Sequence, residues 1–112
     1  MSDKVIQQAA LPDFNPFPGY CGKLIHAETM TVVHWTIESG FEVPDHAHPH
    51  EQIVNMMEGE FELTVAGEAM HLRPGDIVVI PGDVRHAGRS ITDCKIIDIW
   101  HPRREDYQVE TK

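Results

Sequence analysis

Residues 40–59 read GFEVPDHAHPHEQIVNMMEG, and the rest of the chain is organised around them. His46 and His48 form an H-x-H pair, Gln52 follows, and the stretch runs into a Glu58-Gly59-Glu60 turn. On an extended segment successive side chains alternate faces, so two residues flanking a third point the same way. Neutral imidazole is the commonest protein metal ligand. The pair therefore supplies half of a metal site. Gln52 can add an oxygen donor, and His86 downstream offers one more nitrogen. Glu51 is a rival oxygen donor, and His50 reads as a rim residue or as a support behind the ligands.

Outward from this stretch the chain reads as strands. Residues 20–28 and 30–38 are rich in β-branched and aromatic side chains. After a break opened by Gly40, residues 51–57 form another strand. Residues 60–65 alternate strictly, with Phe61, Leu63 and Val65 on one face and Glu60, Glu62 and Thr64 on the other. Turns at Ala66-Gly67, Arg73-Pro74-Gly75-Asp76 and Pro81-Gly82-Asp83 separate further strands at 68–72, 76–80, 86–90 and 94–101. No segment carries a helical period of adequate length. Many short strands at even spacing predict a sandwich or barrel. Residues 1–19, broken by Pro12, Pro16, Pro18 and Gly19, read as an irregular arm ahead of one all-β domain at 20–112. Leu11, Phe14 and Phe17 can dock that arm on its own sheet or on a partner subunit. The polar residues 103–112 read as a short final turn.

Composition narrows the function class. A net charge of −9, from 9 basic and 18 acidic residues, argues against a nucleic-acid or anionic membrane surface. It also means that an acidic substrate needs a local cation. The two cysteines, Cys21 and Cys94, fit no disulfide framework and no zinc motif, which implies reduced thiols. Neither a signal-peptide pattern nor an 18-residue apolar run is found, so the expected location is the cytoplasm.

Two spacings carry a resemblance. Gly40, His46-x-His48, Gln52 and Gly59 resemble the first motif of the cupin family, and Gly75, Pro81 and His86 resemble the second. The resemblance implies a jelly-roll-like double-sheet β-barrel with a metal near its centre, held by His46, His48, Gln52 and His86. Three departures stand out. Gln52 replaces the usual glutamate, Pro81-Gly82-Asp83 replaces Pro-x-Gly, and Ser90 stands where an asparagine often follows the second-motif histidine. Three imidazoles and one oxygen suit a divalent transition metal, with zinc, nickel, iron and manganese all compatible. A neutral Gln52 leaves the site one charge more positive than a carboxylate would, which favours Lewis-acid work on an anionic substrate. His26, His34, His71 and His101 read as surface or satisfied core residues.

The last strand narrows the resemblance. In CKIIDIWHPRREDY, Ile96, Asp98 and Trp100 share one face. A carboxylate in an apolar strand is costly unless paired or functional. The run from Asp98 to Tyr107, on a chain of this length with the segment HAHPHEQ, resembles the KdgF family of pectin-degradation proteins. That family implies a metal-dependent enzyme that turns 4,5-unsaturated uronates, released from pectin or alginate, into linear 5-keto-4-deoxyuronate. Carried over, Asp98 moves the proton, Trp100 is a wall for the substrate and Arg104 clamps its carboxylate. The structural alternatives are an Asp98 paired with a buried arginine and an Arg104 solvated in the tail. Competing functions are an iron-dependent cupin dioxygenase and a non-enzymatic sugar- or effector-binding cupin. A homodimer is expected, since small cupins commonly pair and the arm is apolar.

Overall fold

The computed structural model describes residues 4–109. Among them nine strands form two antiparallel sheets: β1 (Tyr20–His26), β2 (Thr31–Ile37), β3 (Glu42–His46), β4 (Glu51–Glu58), β5 (Phe61–Val65), β6 (Glu68–Leu72), β7 (Ile77–Ile80), β8 (His86–Ser90) and β9 (Cys94–His101). The larger sheet has the order β1-β2-β9-β4-β7 and the smaller β3-β8-β5-β6. Helix is limited to one 3-10 turn, Gln8–Ala10, among the described residues. The all-β expectation therefore holds. None of these residues forms a helix long and apolar enough to cross a membrane.

The core lies between the sheets, and strand alternation fills it. On β9, Cys94, Ile96, Asp98 and Trp100 are buried, in step with their two-residue period. Trp35 and Ile37 of β2 and Val54 and Met56 of β4 flank them in the larger sheet, while Phe61 and Leu63 of β5 face them from the smaller. Gly88 on β8 makes room for the Phe61 ring, since a Cβ there would lie 2.4 Å from Phe61 Cζ. The N-terminal arm docks in cis. Phe14 exchanges backbone hydrogen bonds with Gly22 at 2.9 and 2.7 Å and packs against Trp35 and Tyr107. Upstream of it Val5 and Ile6 are exposed.

Two features depart from the sequence reading. Where a break was expected after Gly40, Glu42–His46 forms β3, which pairs only with β8 at the edge of the smaller sheet. Pro44 is tolerated there because an edge strand has no second ladder to feed. The ladder shifts between Val43 and His46, and the strand ends at His46. His48 thus lies in the loop beyond, so the H-x-H pair converges through loop geometry and not through a shared strand face. Ser90 serves the backbone: its Oγ donates to the Glu38 carbonyl at 2.6 Å and accepts from the Phe41 N–H at 3.1 Å, tying β8 to the β2–β3 connection.

The β7–β8 turn holds that loop in place. Asp83 N–H donates to the His48 carbonyl at 2.8 Å. Gly82 lies so close to the loop that a Cβ would come within 2.4 Å of the Pro49 carbonyl oxygen. Asp83 has φ +64°, so the left-handed position falls on the third residue of Pro81-Gly82-Asp83, where the family pattern has glycine. Aspartate visits this region at a modest cost. Gly82→Ala is therefore expected to destabilise the fold by about 1–3 kcal/mol through overpacking. Asp83→Gly should be neutral or stabilising by up to about 1 kcal/mol. Thermal unfolding of the two variants checks the opposite signs.

Candidate metal centre

His46 comes from the end of β3, His48 from the following loop and His86 from the start of β8, directly opposite His46 in the ladder. One ring nitrogen from each lies within 4.8 Å of the others. The ring centroids of His46 and His48 lie 4.4 and 4.8 Å from that of His86. Each ring is pinned by its Nδ1 to a backbone carbonyl: His46 to Pro44 at 2.8 Å, His48 to His50 at 3.0 Å and His86 to Val84 at 2.9 Å. A carbonyl only accepts, so each Nδ1 carries a proton, and in the neutral ring that leaves the Nε2 lone pair free. This carbonyl anchoring is the usual support of a metal-ligating histidine. Burial, helped by the charges of Arg104 and His86, holds His48 down at about 4, and burial lowers His86 too. Both are therefore neutral near pH 7, the form that binds metal.

Gln52 completes the donor set. On β4 it is 7% exposed, and its Oε1 lies 3.1 Å from His48 Nε2. With Nδ1 protonated, that contact sets two lone pairs against each other. The Gln52 amide group is near enough to Asp98 to hold its pKa back by hydrogen bonding, which fixes the amide nitrogen on that side and the oxygen toward His48. Two converging acceptors call for a cation between them, and three imidazoles with one amide oxygen are a fitting donor set for a divalent transition metal. Glu51, the rival donor, is exposed.

The centre opens into a small, partly open cavity between the sheets, whose wall includes His46, Gln52, His86 and Asp98. Asp98 is 8% exposed. Its Oδ2 accepts the Trp35 indole N–H at 2.9 Å, while Oδ1 has no hydrogen bond of good geometry. Burial pushes its pKa up from 3.8 to about 6, against the opposing pull of Gln52, Trp35 and Arg104.

Of the seven residues singled out in the sequence, His46, Gln52, His86 and Asp98 line the cavity, His48 completes the histidine cluster, and Trp100 and Arg104 lie outside that lining. Trp100 pairs with Gln52 across β9 and β4 and meets the Tyr107 ring edge-on, with ring centroids 5.4 Å apart. Its indole N–H is buried and unpartnered. Arg104 is 4% exposed. Its Nε and Nη2 donate to both oxygens of Asp106 at 3.0 and 2.8 Å, and its guanidinium lies 4.8 Å from the Trp100 ring centroid and 3.9 Å from that of Tyr107. The carboxylate clamp expected of Arg104 is thus engaged by the chain's own Asp106. What reaches the centre is its charge, which lowers the pKa of His48, His86 and Asp98. Sequence reading did not single out Tyr20 and Trp35, which read there as ordinary aromatic strand residues; only the cavity marks them.

A model of the Cupin domain family matches residues 33–100. Among solved structures, an RmlC-like cupin from Shewanella frigidimarina has a TM-score of 0.88 at 27% identity, covering 96% of this chain and 97% of that one. KdgF from a Halomonas species has a TM-score of 0.86 at 27% identity, covering 96% of this chain and 100% of its own. The polyketide synthase CurC of Streptomyces cyaneus is 33% identical over 63 residues, a stretch that spans 55% of this chain and 41% of that protein.

Two outcomes are expected of this centre. Wild-type protein should carry about one divalent metal per chain by elemental analysis, and His48→Ala should lose most of it. In metal-free protein, Asp98 keeps a proton between pH 4 and 6 that the unfolded chain has already lost. Stability is thus full below about pH 4 and falls by up to about 3 kcal/mol as the pH rises through 6. Asp98→Asn carries no such loss, so its advantage in Tm over wild type should be larger at pH 7.5 than at pH 4.5.

Proposed function

The chain belongs to the cupin family, and from that premise we propose that it is a metal-dependent enzyme converting 4,5-unsaturated uronates into linear 5-keto-4-deoxyuronate. The observation that carries the reading is Asp98, a buried carboxylate with one free oxygen on the wall that His46, His86 and Gln52 share. The similarity to KdgF over 96% of the chain supports the same reaction.

His46, His48, His86 and Gln52 would hold the metal, and a divalent ion there would supply Lewis-acid stabilisation of negative charge developing on oxygen. Asp98 does the proton work. Its free Oδ1 takes the proton from the C1 hydroxyl. The C1–O bond becomes a carbonyl, the bond from C1 to the ring oxygen breaks, and the electron pair stays on that oxygen. The oxygen sits on the enol carbon C5, so its pair closes to a C5 carbonyl as C4 accepts the proton, which Asp98 returns. One proton leaves O1 and one arrives at C4, so the change is an isomerisation that needs no co-reactant. A carboxyl pKa near 6 suits both halves of this transfer. Trp35, bonded to Oδ2, fixes the carboxyl and leaves Oδ1 without a partner of good geometry.

Arg104 contributes through its field. It supplies a buried positive charge beside the centre of a chain whose net charge is −9, which favours an anionic substrate. The indole N–H of Trp100, the strand neighbour of Gln52, is buried and unpartnered.

The test is to follow the ultraviolet absorbance of the conjugated 4,5-double bond with and without the metal-loaded protein. Loss of absorbance well above the spontaneous rate is expected. Asp98→Ala and Asp98→Asn should retain metal and fold and lose about 10²–10⁴ in rate. Wild-type rates in both variants would remove Asp98 from the mechanism. Oxygen uptake on substrate addition would replace this reaction with a dioxygenase.

A further inference from the structure

The cavity holds a second polar feature that the reaction above does not use. Tyr20, the first residue of β1, is 6% exposed and lines the same wall as His46, Gln52, His86 and Asp98. Its ring is held edge-on by Phe17 and Trp35, at centroid distances of 5.6 and 5.4 Å and interplanar angles of 80° and 84°. Its hydroxyl is sealed from the exterior and has no hydrogen-bond partner. Asp98 Oδ1 is in the same condition on the same wall.

A buried phenol normally finds a partner, and leaving one without destabilises the fold. Phenylalanine would fill the same apolar seat among Phe17, Ile37 and Val43 at no such cost. Trp35 links the two free atoms. Its ring packs on Tyr20 while its indole N–H fixes the other oxygen of Asp98, so one rigid side chain sets their relative position. One atom is a donor and the other an acceptor, yet they do not bond to each other. A hydroxylated molecule lying between them would satisfy both.

We infer that Tyr20 is a substrate-positioning residue whose phenolic O–H donates to a neutral ring hydroxyl of the sugar, at C2 or C3, while Asp98 engages the C1 hydroxyl. This rests on the uronate reading of the site. A neutral partner follows from the lining, which contains no lysine or arginine to accompany a carboxylate. Burial and the neighbouring Asp98 push the Tyr20 pKa far up, so the phenol keeps its proton and acts by hydrogen bonding alone.

The experiment is steady-state kinetics of metal-loaded wild type and Tyr20→Phe on the unsaturated uronate monomer, with metal content and Tm measured alongside. Tyr20→Phe should keep its metal, hold or raise its Tm, and raise KM about tenfold with a smaller effect on kcat. On wild type, either the 2-deoxy or the 3-deoxy substrate should lose a similar factor, and Tyr20→Phe should be indifferent to that deletion. The deoxy comparison on wild type stands even if the variant fails to fold: full activity on both deoxy substrates overturns the inference. A lowered Tm with kcat and KM unchanged overturns it in favour of a hydroxyl held only by an ordered water. A wild type that consumes the substrate while Tyr20→Phe matches it overturns this inference alone. A wild type that leaves the substrate untouched overturns the functional reading and takes this inference with it.

Discussion

The position of β9 in the middle of the larger sheet is the constraint on which the rest depends. It pairs with β2 on one side and β4 on the other, joining the last strand of the chain to segments about 60 and 40 residues earlier. That pairing sets Asp98 between Val33 and Val54, and Trp100 between Thr31 and Gln52. Because the side-chain period is two, a slip of one residue would send Asp98 outward and bring Ile97 and Ile99 into the cavity. The proton-transfer candidate and the metal-ligand candidate on β4 are neighbours only in this register. The interior is closed on the other side by the smaller sheet, whose β3–β8 pair carries His46 and His86.

Around that frame the centre concentrates unfavourable terms. Two imidazoles, those of His48 and His86, are pushed toward the neutral form by burial. One carboxylate lies in an apolar wall with an unpartnered oxygen, and one phenol beside it has no partner. Each of these works against folding in isolation. Their convergence on one cavity is what a site for a polar ligand and a cation requires. Two features stiffen the arrangement: backbone carbonyls clamp every Nδ1, and the Trp35 ring orients the carboxyl. Gln52 joins both halves, facing His48 with its oxygen and Asp98 with its nitrogen. A glutamate at this position would bring a second negative charge next to Asp98 and raise its pKa further. The neutral amide leaves Asp98 near 6, within reach of working pH.

Arg104 shows how the same charge can act without contact. Its guanidinium is spent on Asp106 and on the faces of two aromatic rings, an arrangement worth about 2 kcal/mol or more to the tail when desolvated. In this acidic chain it is nevertheless a buried cation beside the centre, and it lowers the pKa of His48, His86 and Asp98 at once.

Much of this was legible in the linear chain. Strict alternation in 60–65 and the punctuating glycines announced antiparallel strands, because a pleated backbone repeats every two residues wherever it occurs. The spacing of His46, His48, Gln52 and His86 announced a candidate ligand set, and the phase of Asp98 with Ile96 and Trp100 announced an inward carboxylate. What stayed hidden depends on contacts between distant segments. Pro44 disguised β3, since only its place at a sheet edge makes a proline harmless there. Nothing local distinguishes Gly82 and Asp83 until Pro49 and His48 are packed against them. Arg104 had a free carboxylate two residues away at Asp106, and which anion it would choose is a matter of the tail's path over Trp100 and Tyr107. Tyr20 and Trp35 came to line the cavity only when β1 and β2 were laid beside β9. Periodicity and spacing are local properties that a sequence carries on its face. Which buried polar atom finds a partner, and which is left open for a ligand, is settled only when the sheets close on each other.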